Sequence, residues 1–298
     1  MAAALVIGPV FFPSSDPAAQ ALNAFLSFGI AFFARPLGAI LFGHFGDRIG
    51  RKATLASSLL LMGTATLLIG CLPGYATLGA WAPLLLCLLR VAQGIGLGGE
   101  WGGAALLATE SAPAHRRAWF GMFPQLGPAI GFLLACLSFL GLSAYLSEAE
   151  FLAWGWRLPF FASAALVMVG LYVRFKLSET TAFAQVLAQQ QTLKLPLLTL
   201  LQQHKRPMLL GALAMTVCYN LFYTATVFCL SYGTQTLGIA RVDFLQMLCF
   251  AVLFMALITP LSAAMSDRYG RKPVLLIGCF FAVMVGFSLD PLLSHGHP

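Results

Sequence analysis

Three polar side chains interrupt one apolar run between residues 81 and 109: Arg90, Gln93 and Glu100. At 100° per residue they fall within an arc of about 80°, so a helix presents them on one side. A carboxylate and a guanidinium in an apolar surround are the parts of a proton relay, because each charge changes the cost of the other. Glu100 is the candidate proton carrier, with Arg90 and Gln93 as its partners. The alternative is an internal polar network that holds helices together. Gly94, Gly98 and Gly102 recur at every fourth place and lie mostly on another face, the spacing of a tight helix–helix contact.

A second cation, Arg35, lies twelve residues before Asp47. On a helix that is about 18 Å from the nearest polar boundary, near mid-membrane. An ionised group there costs about 2.5 kcal/mol or more unless it is paired or wetted. Arg35 therefore reads either as a cavity-facing cation that attracts an anionic substrate or as a structural arginine on backbone carbonyls, one of which Pro36 frees. Thr216, Tyr219, Asn220 and Tyr223 form a stripe about 100° wide on a later helix, suited to hydrogen-bonding a small polar molecule or a neighbouring helix. Gln125 is a weaker candidate of the same kind.

The elements that position these residues are membrane helices. The chain is 59% hydrophobic and 9% charged over 298 residues, against about 25% charged in soluble domains. Its mean hydropathy is +0.86. One aqueous core cannot hide so much apolar surface, so the bilayer is the solvent. Full spans are expected at 19–42, 53–72, 81–109, 120–142, 151–175, 208–232, 244–264 and 273–289. The run at 2–12 is too short to span and lacks the basic start of a signal peptide. The polar stretch 176–206 reads as a linker. The domain organisation is therefore an N-terminal half over 1–175, with a partial first helix and helices two to six, a cytoplasmic linker over 176–206, and helices seven to nine over 207–298.

The net charge is +7, but the basic residues fall in alternate loops, the positive-inside pattern that assigns those loops to the cytoplasm. No basic face with interleaved aromatics suggests nucleic acid. The seven cysteines lie in or beside apolar runs without a CxxC pair, as buried thiols do. No metal-ligand spacing, nucleophile–base pair or phosphate loop appears, so neither an enzyme nor a cofactor is expected. Trp154 and Trp156, at the outer end of a span, read as an interfacial aromatic belt.

One phrase occurs twice: Asp47-Arg48-Ile49-Gly50-Arg51-Lys52 and Asp267-Arg268-Tyr269-Gly270-Arg271-Lys272. Each copy sits between two apolar runs, as in a duplicated membrane domain. With Arg90-Val91-Ala92-Gln93-Gly94 and Glu110-Ser111-Ala112-Pro113 followed by Arg117, it resembles the signature motifs of the major facilitator superfamily. RPLGAILFGHFGDRIGRK, QGIGLGGEWGGAAL and WGWRLPF are similar to the metabolite–proton symporters, a group that carries shikimate, α-ketoglutarate, citrate, proline or betaine.

The resemblance implies an all-α polytopic fold, a monomer in the inner membrane, and proton-coupled symport of a small organic acid or zwitterion by alternating access. It implies that Arg90 works with a carboxylate on the first helix. It also implies a cytoplasmic latch of Asp47, Arg48, Arg51, Lys52, Glu110, Arg117, Asp267, Arg268 and Arg271, with Glu110 pairing Arg117 or the loop arginines. The family has twelve helices, and the apolar runs here end with the ninth. The chain is therefore expected to be incomplete at both ends, and a non-transporting membrane remnant or interaction protein is the alternative function.

Overall fold

A computed structural model of the chain describes residues 4–14, 16–176, 202–229, 232–233 and 241–295. Every regular element among them is helical: α1 (Ala4–Phe11), α2 (Pro17–Ile49), α3 (Arg51–Cys71), α4 (Tyr75–Leu78), α5 (Trp81–Glu110), α6 (Arg117–Gly121), α7 (Phe123–Tyr145), α8 (Glu148–Ala153), α9 (Leu158–Lys176), α10 (Lys205–Tyr223), α11 (Arg241–Tyr269) and α12 (Arg271–His295). Eight stretches among the described residues are long and apolar enough to cross a bilayer. They correspond to the eight expected spans, and α1, at eight residues, is the expected short stub. Most of the stretch 176–206 lies outside the described residues.

The duplicated phrase does not form a loop. In each copy the helices continue up to a single glycine and restart directly after it: α2 ends at Ile49 and α3 begins at Arg51, while α11 ends at Tyr269 and α12 begins at Arg271. Gly50 has φ 105° and Gly270 φ 90°, a region that side chains with a Cβ rarely occupy. One residue of left-handed backbone thus reverses the chain. Asp and Arg are carried in the last helical turn before it, Arg and Lys in the first turn after it.

The Cα framework forms two compact units, Met1–Ser111 with Leu134–Leu198, and Ala112–Leu133 with Thr199–Pro298. In the first, α5 packs between α2 and α3, and α9 packs on α3. The α2–α5 approach is closest where a Cβ on Gly98 would overlap the Arg35 carbonyl oxygen, one on Gly38 of α2 that of Ile95, and one on Gly94 that of Ala31. Gly96 meets Ser58 and Met62 of α3 instead, and Gly102 has no neighbour within 4 Å. The close contact therefore uses two of the three glycines in the every-fourth series, and the third faces open space.

One end of this unit holds a buried apolar cluster: Ile7, Phe11, Ala24, Ile69, Leu72, Ala82, Leu86, Trp156 and Phe160. Trp156 is 0% exposed, edge-on to Phe11 at 5.9 Å and to Phe160 at 5.7 Å between ring centroids. It is a core residue, contrary to the belt expected from its position. Trp154, 47% exposed, remains at the surface. Arg157 then closes the corner. It donates to the carbonyls of Ala153 at 2.7 Å and Leu72 at 3.2 Å, and its guanidinium lies over the Trp156 ring at 4.5 Å. Two helix ends are capped by one cation, which is the physical content of the WGWR motif.

In the second unit α11 packs on α6 and on α12. Helix α10 passes into a π-helical turn over Thr224–Phe228, where the Thr226 hydroxyl donates to the Phe222 carbonyl at 2.7 Å.

The two glycine environments give opposite expectations for one substitution. Gly98→Ala forces a methyl into the Arg35 carbonyl and lowers stability by about 1–3 kcal/mol. Gly102→Ala meets nothing and raises it by about 0.5–1 kcal/mol through helix propensity. Thermal unfolding midpoints of the two purified variants in detergent check both signs, and equal shifts would show that α2 and α5 do not touch at Gly98.

Candidate functional site

The polar group in the middle of the first unit is built on α5, α3 and α2. Arg90, one helical turn before the glycine contact, is only 8% exposed. Its Nη1 donates to Gln93 Oε1 at 2.9 Å, and Gln93 Nε2 donates to the Thr66 hydroxyl at 2.6 Å. The Thr66 hydroxyl in turn donates to the Met62 carbonyl at 2.8 Å. The Arg90 guanidinium lies over the Phe28 ring of α2, 4.2 Å from its centroid. Its Nε and Nη2 are buried without a hydrogen-bond partner. Arg35 lies over the Phe32 ring at 4.1 Å, with its Nε likewise buried and unpartnered.

Glu100 shares the helix but not this network. Its Oε1 forms an ion pair with Arg174, near the end of α9, and its Oε2 is buried without a partner. Arg174 Nη1 donates to the Leu55 carbonyl of α3. One guanidinium thereby ties α9, α5 and α3 together. Arg90 and Gln93 are therefore in contact, whereas Glu100 is held by a residue 74 positions further along the chain.

At the other end of α5, Glu110 pairs with Arg51 of the first phrase at 2.8 Å. Asp47 is exposed in the last turn of α2, attracted by Arg51 and His44 and repelled by Glu110. Arg48 precedes the Gly50 turn and Lys52 follows it. In the second phrase, Asp267 accepts the backbone N–H groups of Ala118 and Trp119, each at 2.9 Å. Arg268 stands 5.3 Å from the Tyr269 ring centroid, Arg271 is the first residue of α12, and Arg117 is exposed at the start of α6.

Of the remaining candidates, Gln125 is exposed in the first turn of α7. Tyr219 and Tyr223 stack on α10 with ring centroids 6.2 Å apart and planes at 16°, and Asn220 is exposed between them. These four belong to the second unit, and Arg35, Arg90, Gln93 and Glu100 to the first.

A family model for sugar (and other) transporters matches residues 10–194, the stretch that holds both arginine sites and the first phrase. The chain belongs to the sugar (and other) transporter family of the major facilitator superfamily. The transporter is 49% identical over 302 residues to the inner membrane metabolite transport protein YhjE of Escherichia coli K12, spanning 100% of this chain and 69% of that protein. It is 41% identical over 288 residues to the shikimate transporter of Escherichia coli K12, covering 96% of this chain and 66% of that one. It is 34% identical over 285 residues to the proline/betaine transporter of Salmonella typhimurium, at 92% and 57% coverage. Among solved structures, a proton:xylose symporter, XylE, bound to 6-bromo-6-deoxy-D-glucose has the same fold: TM-score 0.70 at 19% identity, covering 91% of this chain and 66% of that one.

Thr66, Phe28 and Arg174 carry no local signal of their roles. Thr66 and Arg174 reach their partners across 27 and 74 positions, and no helical periodicity relates residues on different helices. Arg174 in the sequence is one more basic residue of a cytoplasmic cluster.

A double-mutant cycle tests the transporter's ion pair. Glu100→Gln and Arg174→Gln each leave one partly buried charge unpaired, so each destabilises. Together they destabilise less than the sum, with a coupling of about 1–3 kcal/mol. Additive losses in detergent unfolding would show that the two side chains do not interact. Asp267→Ala removes the acceptor of two N–H groups and lowers stability by about 1–2 kcal/mol, whereas Asp267→Asn retains an acceptor oxygen and loses less; equal losses for the two variants would exclude this capping role.

Proposed function

We propose that this transporter is a proton-coupled symporter of a small organic acid or zwitterion in the inner (cytoplasmic) membrane. The observation that carries the reading is Arg90: a buried cation in the middle of a membrane helix, hydrogen-bonded to Gln93 and through it to Thr66. Intramembrane ionisable groups are costly and mark ion and substrate pathways. The relatives, which are transporters of metabolites, of shikimate and of proline or betaine, support a small polar substrate. The description of XylE as a proton:xylose symporter supports proton coupling.

In this mechanism the two halves, 1–175 and 207–298, rock about a central site. Arg35 draws the substrate in, and Gln125, Tyr219, Asn220 and Tyr223 supply hydrogen bonds to it. Arg90 and Gln93 couple that occupancy to a proton taken up and released by Glu100. Asp47, Arg48, Arg51, Lys52, Asp267, Arg268 and Arg271, with Glu110 and Arg117, form a latch whose pairing differs between the outward- and inward-open states. The ion pair Arg51–Glu110 and the capping of α6 by Asp267 support such a latch. The transporter acts as a monomer on substrate and protons within the lipid bilayer, and needs no cofactor.

Arg90→Ala and Glu100→Gln are each expected to abolish accumulation driven by an inward proton gradient in proteoliposomes. The expected loss is about tenfold or more, the scale of removing one charged partner in a low dielectric. Full accumulation by both variants would remove this helix from the coupling mechanism.

A further inference from the structure

A groove of about 450 Å³ opens in the second unit, lined by His115, Arg116, Trp119, Ala264, Asp267 and Arg268. One wall is the start of α6 with the helical turn Ala114–Arg116 before it, and the other is the last turns of α11. Both walls stand where an apolar stretch meets the membrane boundary. The stretch Ala114–Leu142 begins in the groove, and the stretch Gln246–Tyr269 ends there. The groove therefore lies at the level of lipid headgroups. The basic residues around it assign that boundary to the cytoplasmic leaflet.

The charges of the groove do not cancel. Its carboxylate, Asp267, has both oxygens on backbone N–H groups, those of Ala118 and Trp119. Arg116 on one wall and Arg268 on the other are exposed and make no ion pair among the described residues. His115 adds a ring N–H donor. Two guanidiniums on opposite walls suit a phosphate, whose oxygens match the planar fork of each. The apolar side of the groove shows which kind of phosphate. Trp119 and, four residues on, Phe123 are exposed. On the other wall Leu261 and Leu257, three and seven residues before Ala264, are exposed too. At helical spacing these residues continue both walls into the hydrocarbon as apolar tracks. A soluble anion has no contact to make with them. Acyl chains do.

We infer that this groove binds the headgroup of an anionic phospholipid of the cytoplasmic leaflet, with Arg116 and Arg268 on its phosphate and the acyl chains along α7 and α11. A headgroup with no cation of its own keeps its full negative charge for the two arginines. A zwitterionic headgroup brings an ammonium beside them and is disfavoured. The bound lipid joins the start of α6 to the end of α11, the same two places that Asp267 ties together from inside. The site is separate from the transport reading and stands whatever the chain carries.

The test is thermal unfolding of the purified chain in a nonionic detergent, titrated with single lipids. The probes are phosphatidylglycerol, phosphatidylcholine and phosphatidylethanolamine, with inorganic phosphate and glycerol 3-phosphate as headgroup pieces that lack acyl chains. Phosphatidylglycerol is expected to raise the midpoint with an affinity about tenfold or more above the two zwitterionic lipids, the size of one charge-assisted hydrogen bond. The two soluble phosphates are expected to give no shift at the same concentration. Arg116→Gln and Arg268→Gln each weaken phosphatidylglycerol binding about fivefold, the effect of one basic residue at an anionic surface. Asp267→Asn removes a repelling charge from the groove and strengthens binding by a similar factor, although it lowers stability. The pair Lys205→Gln and Arg206→Gln, exposed at the start of α10, removes two charges outside the groove and leaves binding unchanged. The comparison among lipids uses the unaltered chain, so it stands even where a variant does not fold. Equal stabilisation by a zwitterionic lipid overturns the inference, and so does equal stabilisation by a soluble phosphate, which would make this a site for free anions. A loss at Lys205 and Arg206 as large as at the groove overturns it as well, because bulk charge then explains the binding. Unchanged binding by the folded groove variants, or no response to phosphatidylglycerol at all, also overturns it.

Discussion

The first unit depends on how closely α2 and α5 approach. Two helices meet at backbone distance only where no Cβ enters the contact, and Gly94 and Gly98 of α5 provide that opening against the carbonyls of Ala31 and Arg35, as Gly38 of α2 does against that of Ile95. In a bilayer there is no hydrophobic gain from bringing apolar helices together, so dispersion between closely packed backbones is what holds them. The same contact sets the height of each helix on the other. It brings Arg90 level with Phe28, and so it decides which aromatic ring each intramembrane arginine can cover.

The unit shows three ways of carrying a guanidinium among apolar helices. Arg157 sits at the outer end and spends its donors on the carbonyls of two helix ends. Arg174 divides its donors between a carboxylate and a carbonyl on two other helices. Both satisfy the backbone or a counter-charge, which is the usual remedy for a buried cation. Arg35 and Arg90 instead take the faces of phenylalanine rings and leave donors unused.

The duplicated phrase is a joint of one residue, and its two copies share backbone but differ in side-chain partners. Gly50 and Gly270 both take the left-handed conformation. The charged residues on either side are therefore fixed in helical turns, where their directions are set by the helix. In one copy Arg51 reaches Glu110; in the other, Asp267 caps the start of α6. The conformational constraint is common to both, and each copy's partner depends on which helix end lies beside it.

Composition and periodicity determined the class of this protein. A chain with so few charges must place its apolar runs in lipid, and a span needs a fixed length, so the eight spans and the short α1 were legible from residue types alone. The Asp-Arg-x-Gly-Arg-Lys repeat announced the duplication, though not that a single glycine makes each turn, because φ is not written in a hydropathy pattern. Arg90 and Gln93 were legible as partners because three residues on one helix is a local distance. Thr66, Phe28 and Arg174 were not, because they lie on other helices and nothing in one helix's period fixes the rotation of its neighbour. For the same reason Glu100 shares a face with Arg90 in sequence and pairs with Arg174 in space, and Trp156 looks interfacial yet is fully buried. Sequence set which residues are polar within the membrane; helix packing, governed by where glycine lets backbones touch, decided which of them meet.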